Sequence, residues 1–280
     1  MNLDIHQVLP LLAKIDPGLT KEFLLSSSIP LIVCSSGLIS TFNVYEHGFP
    51  LSFAILPIYN TISAWKSGTV LSTPVLLYNS TMMFHGIILS LYMYYRKNKT
   101  FLEHFNTHIV ETSNAYTALR DASLLVRIIN WLAITGVMTC WNAIPYIYTL
   151  RGDGSSPTGV LGLSLIALGS VLQATADHQK KRHKYIHGPY SYCKDGVYKL
   201  CRHPNYLGEI LYHLGVLISG YSLFPSISRW LLVGIIPLCF VPMMFFVTYD
   251  MSEKQAAKYE RESTYKDYQA SVKRLIPYVW

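Results

Sequence analysis

Four hydrogen-bonding or charged side chains fall within eight residues of the stretch GVYKLCRHPNYLGEILYHLG, residues 196–215: Arg202, His203, Asn205 and Glu209. An apolar run follows at once. Pro204 suits a first helical turn, where its missing N–H would be unpaired anyway. Asn205, Gly208 and Glu209 then lie about one turn apart on a shared face. Gly208 lets another backbone or a ligand come close. A helix N-terminus attracts anions, and Arg202 with His203 adds to that attraction. Glu209 is costly in such a place unless it meets a donor from a ligand or a cation such as Arg202 or Lys199. The pattern describes a polar pocket suited to an anionic or zwitterionic cofactor. A snorkelling cluster with no ligand is the alternative, and it explains Arg202 but not Asn205 or Glu209.

The elements that position this pocket are apolar. Of 280 residues, 51% are hydrophobic and 14% charged, against about 25% charged in soluble domains. Crossing a bilayer takes roughly 20 apolar residues. Runs near that length lie at about 29–45, 50–65, 70–95, 125–150, 158–176, 205–224 and 230–249. The expected fold is therefore all-α, a multipass transmembrane helix bundle of about seven spans, with a cytoplasmic-side polar cofactor pocket formed by the C-terminal half. The N-terminus MNLDIHQVLPLLAKID lacks a basic n-region and a small-residue cleavage site, so no cleaved leader is expected.

Charge sets the orientation. The net charge is +7, and most basic residues sit in three segments. Arg96, Lys97, Lys99, Arg120 and Arg127 belong to the first. Lys180, Lys181, Arg182, Lys184, Lys194, Lys199 and Arg202 belong to the second, and Lys254, Lys258, Arg261, Lys266, Lys273 and Arg274 to the tail. Counting spans puts all three on one side, which the positive-inside rule makes cytoplasmic. The C-terminus is then cytoplasmic, and the endoplasmic reticulum is the expected membrane.

Cys34, Cys140, Cys193, Cys201 and Cys239 show no paired spacing, and the histidines form no HExxH pattern. Neither a disulfide framework nor a metal site is expected. Asn60, Asn79, His85, Asn130 and Asn142 are the polar residues deep within the apolar runs. Interhelical hydrogen bonding is their ordinary use, with substrate contact the alternative. Asn79 and His85 share one run with Tyr78 and Ser80.

GVYKLCRHPNYLGEILYHLG resembles the C-terminal signature of the steroid 5α-reductase-like superfamily, G-(V/L)-W-x-x-S-R-H-P-N-Y-(F/L)-G-E. It is closer still to the branch known as domain of unknown function 1295. QATADHQKKRHK is similar to that branch's D-x-Q-K stretch. KYERESTYKDYQASVKRLIP is similar to its ending, a Tyr-x-x-Tyr followed by Ile-Pro. The resemblance covers 170–280 and divides the chain into an N-terminal bundle, 1–170, on the substrate side and a cofactor-binding region, 171–280. It implies NADPH held by Asp177, Lys181, Arg202, His203, Asn205, Tyr206, Glu209, Tyr265 and Tyr268. The implied reaction is hydride delivery to an activated C=C bond of a lipid or sterol-like substrate, followed by protonation from a tyrosine or acid. Glu209, and Tyr78 chosen for its place inside an apolar run beside polar neighbours, are the expected catalytic residues. Related reductases place arginines before the tail helix, where this chain has YDMSEKQ.

Isoprenylcysteine carboxyl methyltransferases share an R-H-P-x-Y motif and bind S-adenosylmethionine. Their signature adds a paired Glu-Glu before the tail helix, where this chain has Glu253 followed by Lys254. An S-adenosylmethionine-dependent lipid or isoprenylcysteine-type methyltransferase is the second reading. A non-enzymatic lipid-binding scaffold is the third.

Overall fold

A computed structural model describes residues 21–98, 122–152, 154–188 and 190–280. Among them the secondary structure is helical, with no strand. Lys99 and Arg120, both used in the sequence reading, lie outside the described residues.

In chain order, α1 is Lys21–Ser26, α2 Ser28–Val33, α3 Phe49–Lys66, α4 Thr73–Asn98, α5 Leu124–Trp141 and α6 Ala143–Arg151. The C-terminal elements are α7 Pro157–His187, α8 Pro204–Ser219, α9 Ile227–Val233, α10 Ile235–Lys258 and α11 Ser263–Ser271. Four stretches among the described residues are long and apolar enough to cross a membrane: Thr73–Tyr95, Leu124–Arg151, Pro157–His187 and Ile235–Lys258. They coincide with four of the seven expected runs.

The other three differ from expectation for local reasons. The run at 29–45 is not one helix. After α2 it passes through a 3-10 segment, Cys34–Leu38, a turn at Thr41–Asn43 and a π-helical segment, Val44–Gly48. Inside the run the hydroxyls of Ser35 and Ser36 each donate to the carbonyl three residues earlier, at 2.7 and 3.5 Å. Such back-bonding competes with the regular helical ladder. The helices α3 and α8, at 18 and 16 residues, rise about 27 and 24 Å, below the roughly 30 Å of a hydrocarbon core.

The chain divides into two compact units, one of Met1–Leu163 with Val216–Ile236 and the other of Ser164–Gly215 with Pro237–Trp280. The first is laced by neutral polar pairs. Asn60 and Asn142 exchange amide bonds at 2.9 and 3.2 Å, and Asn142 reaches Ser26 Oγ at 3.3 Å. Asn79 pairs with Thr149 at 3.0 and 3.2 Å, and Tyr45 donates to Asn130 at 2.8 Å. Aromatic packing fills the space between, with Phe53 edge-on to Trp141 at 4.5 Å.

In the second unit α7 and α8 cross backbone to backbone. A Cβ on Gly169 would stand 2.5 Å from the Gly208 carbonyl, and one on Gly208 would stand 2.8 Å from the Gln173 nitrogen. Only glycine permits that approach.

Candidate functional site: a buried arginine at the start of α8

The RHPNY stretch enters α8 through an extended link pinned by the tail. Arg202 N–H donates to the Lys273 carbonyl at 2.8 Å and His203 N–H to the Arg274 carbonyl at 3.1 Å. The helix begins at Pro204, with Tyr206 and Leu207 donating back to the His203 carbonyl. With its backbone satisfied, Arg202 turns its side chain inward, to 6% exposure.

Its surroundings do not neutralise it. Tyr265 Oη accepts one guanidinium hydrogen bond and itself faces Gln255 Oε1 at 3.5 Å. Arg202 Nε and Nη1 are buried with no hydrogen-bond partner, and no carboxylate among the described residues pairs with Arg202. Buried charge of this kind is expensive unless compensated, and buried N–H groups are nearly always bonded. Unmet N–H donors on a buried cation are what the oxygens of a phosphate or carboxylate accept.

More positive charge gathers there. Lys180, Arg202 and Arg274 all act on the His203 imidazole, and burial together with these cations holds it well below its ordinary range, at about 3. The ring is therefore neutral at physiological pH. Its Nε2 lies 2.9 Å from Ser252 Oγ, and its plane stacks on Tyr206 at 5.4 Å. Arg274 is held by Glu253 at 3.0 Å and lies over the Tyr249 ring.

A tyrosine cluster walls the same region. Tyr192 packs against Tyr259, Tyr265 and Tyr268 at 5.3, 4.9 and 5.8 Å. Tyr268 Oη donates to the Tyr198 carbonyl at 2.7 Å. Burial raises the Tyr265 and Tyr268 hydroxyls above their usual range, against the opposing pull of Arg202, so both remain protonated. Burial likewise pushes the Cys201 thiol up to about 11, which leaves it inert.

The expected site residues fall into three groups. His203, Tyr265 and Tyr268 lie within electrostatic reach of the Arg202 guanidinium, and Tyr206 stacks on His203. Glu209 sits apart from the arginine. Its Oε1 accepts from Gln173 Nε2 at 2.6 Å, and its Oε2 lies 3.6 Å from His213 Nε2. It balances neither Arg202 nor Lys199, the latter being exposed. Asp177 is buried, Asn205 half-buried and Lys181 exposed. Tyr78 belongs to the other unit, fully buried, with its hydroxyl 3.1 Å from Ser219 Oγ and its ring 4.3 Å from Tyr148.

Sequence reasoning passed over several partners. Gln173 stands four residues before Asp177, and His213 four after Glu209, so helical spacing carried a signal for both. Gln179, the Gln of the D-x-Q-K stretch, accepts from Val197 N–H at 3.0 Å beneath the positive-φ turn at Gly196. Its job is to hold the 3-10 segment Gly196–Lys199. Glu46 and His47 sit in the π-helical segment, in a stretch read only as a span.

A protein whose described residues form helices and no strand, with four stretches able to cross a membrane and an uncompensated buried arginine where its polar motif enters α8, is the class these features define. The family model described as protein of unknown function (DUF1295) matches residues 51–272, and the chain belongs to that family. No curated protein and no solved structure matches it.

Proposed function

We propose that this chain is an integral membrane reductase that uses NADPH to reduce an activated C=C bond of a lipid or sterol-like substrate, as the steroid 5α-reductase-like resemblance implies. One observation carries the reading. Arg202 Nε and Nη1 are buried, charged and without a partner, which fits a ligand that brings its own negative charge. The neighbouring cations favour a dinucleotide phosphate over S-adenosylmethionine. Lys180 and Arg274 act at the same imidazole as Arg202. A polyanion gains from several cations, whereas S-adenosylmethionine brings one carboxylate beside a sulfonium and an ammonium.

NADPH when bound supplies a hydride, and the chemistry is the cofactor's. The chain's part is to bind, orient and handle the proton. Arg202 would hold a phosphate, with neutral His203 keeping Tyr206 and Ser252 in place. Asp177, Lys181 and Asn205 on α7 and α8, and Tyr265 and Tyr268 on α11, complete the proposed binding set. Glu209 would accept a hydrogen bond from the ligand. The reduced carbon needs one proton, and Tyr78 is the group we assign to supply it. The proposed setting is the endoplasmic reticulum, with the tail after Asp250 on the cytoplasmic face.

The test is binding to the purified chain in detergent, NADPH against S-adenosylmethionine. Saturable binding of NADPH, competed by excess NADP+ and not by S-adenosylmethionine, supports the reductase. Binding of S-adenosylmethionine alone overturns it in favour of the methyltransferase reading.

A further inference from the structure

One face of α10 holds both the tail and the link before α8. Phe245, Tyr249 and Glu253 recur every fourth residue, with Ser252 three after Tyr249, so all lie on that face. The Trp280 ring packs on Phe245 at 5.3 Å, and His203 Nε2 lies 2.9 Å from Ser252 Oγ. Arg274 takes the other two. Its guanidinium lies over the Tyr249 ring at 5.1 Å, and its Nη2 donates to Glu253 Oε1 at 3.0 Å.

The backbone of Arg274 is fixed too. Its carbonyl accepts the His203 N–H at 3.1 Å, one residue after Arg202. Beyond it, Ile276 and Trp280 exchange backbone bonds at 2.8 and 3.1 Å and close the chain on itself. Arg202 and Arg274 thus meet the same neighbours, since both charges act on the His203 ring and on the Tyr265 hydroxyl. Their own partners differ. Arg202 is buried, with Nε and Nη1 unmet. The Arg274 and Glu253 side chains are 27% and 52% exposed, and an ion pair so open to water is weak. A phosphate carries more charge and more acceptor oxygens than a carboxylate, so it can displace Glu253.

We infer that Arg274 is a second anion-binding residue beside Arg202, and that Glu253 competes with the ligand for it. A ligand with one phosphate at Arg202 and a second at Arg274 gains from both cations, which makes the ligand class a diphosphate. Free pyrophosphate and a dinucleotide share that chemistry. This assignment rests on the reading of Arg202 as a phosphate ligand, and it adds a restraint on the same site: Glu253 lowers its affinity.

The experiment is a double-substitution cycle read by calorimetry on the full chain in detergent, with inorganic pyrophosphate as the probe. Glu253→Gln keeps the side-chain shape without its charge, and pyrophosphate should bind about threefold more tightly, the scale of an exposed ion pair. Arg274→Met should bind it about tenfold more weakly, as for loss of a charged hydrogen bond. In the Arg274→Met background Glu253→Gln should change nothing, because the carboxylate then has no arginine to withhold. Asp250→Asn removes a nearby carboxylate that pairs with Lys254 at 2.7 Å, and should leave affinity unchanged. Arg274→Gln takes the place of the methionine variant should that one fail to fold. An equal gain from Glu253→Gln in both backgrounds overturns the assignment, because only the field of the carboxylate would then matter. No gain at all overturns it too, as does the absence of saturable pyrophosphate binding. Titration of the same proteins with NADPH separates the two readings. The pyrophosphate pattern without NADPH binding keeps Arg274 and Glu253 at the site and sinks the reductase. NADPH binding unchanged by Glu253→Gln and Arg274→Met keeps the reductase and removes both residues from its site.

Discussion

The polar groups of the two units are arranged by different rules. In the first unit the buried side-chain pairs are neutral groups that meet one another: Asn60 with Asn142, Asn79 with Thr149, Tyr78 with Ser219. In the second, a cation is buried beside tyrosines with two donors unmet. A paired amide inside an apolar bundle ties helices together. A desolvated, unpaired guanidinium does the reverse, since in the absence of an anion it costs stability. Polar residues at depth therefore fall into two kinds, those satisfied within the fold and those left for something else.

That contrast is open to test by substitution, beginning with the largest effect. Arg202→Met keeps the bulk of the side chain and removes its donors. NADPH affinity should fall by about 1.5–3 kcal/mol, the range for hydrogen bonds to charged groups, as read by calorimetry. Unchanged affinity would mean that the unmet donors do not serve this ligand.

A smaller effect follows from His203. The imidazole titrates at about 3 in the fold, against an ordinary value of 6.5. Below pH 6.5 the unfolded chain takes up a proton that the folded chain does not, so stability is lost as pH falls. For one such group the loss between pH 6.5 and 5 is about 2 kcal/mol. Chemical denaturation at the two pH values should show it in the wild type and not in His203→Gln.

Smallest is the effect expected in the first unit. Asn60→Ala removes one partner of a satisfied amide pair, and about 1 kcal/mol of stability should go with it. NADPH affinity per folded molecule should not change. If Asn60→Ala weakened binding as strongly as Arg202→Met, the contrast between paired and unpaired groups would fail.

Much of this arrangement could be read along the chain. The apolar runs of α4 and α10 are long enough to be unambiguous, whereas that of α7 is short and interrupted at Gly162; Arg202 to Glu209 stand out because charge at the head of an apolar run demands a reason. What stayed hidden depended on partners distant in sequence. Nothing local says that Arg202 lacks a carboxylate, because Glu209, seven residues on, is taken by Gln173 from another helix. Nothing local says that the tail backbone at Lys273 and Arg274 pins the link before α8. Inside the 29–45 run the Ser35 and Ser36 hydroxyls bond backward to the chain, which a hydropathy average cannot register.

The central claim is that Arg202 is retained for a ligand and not for the fold, and the ligand-free stability of Arg202→Met tests it most directly. A cation held without a counter-ion contributes nothing to the apo state. The melting temperature of the ligand-free variant should therefore equal or exceed that of the wild type, while added NADPH stabilises the wild type alone. A clear fall in the apo melting temperature would contradict the account, since it would make Arg202 a structural group whose unmet donors serve no ligand.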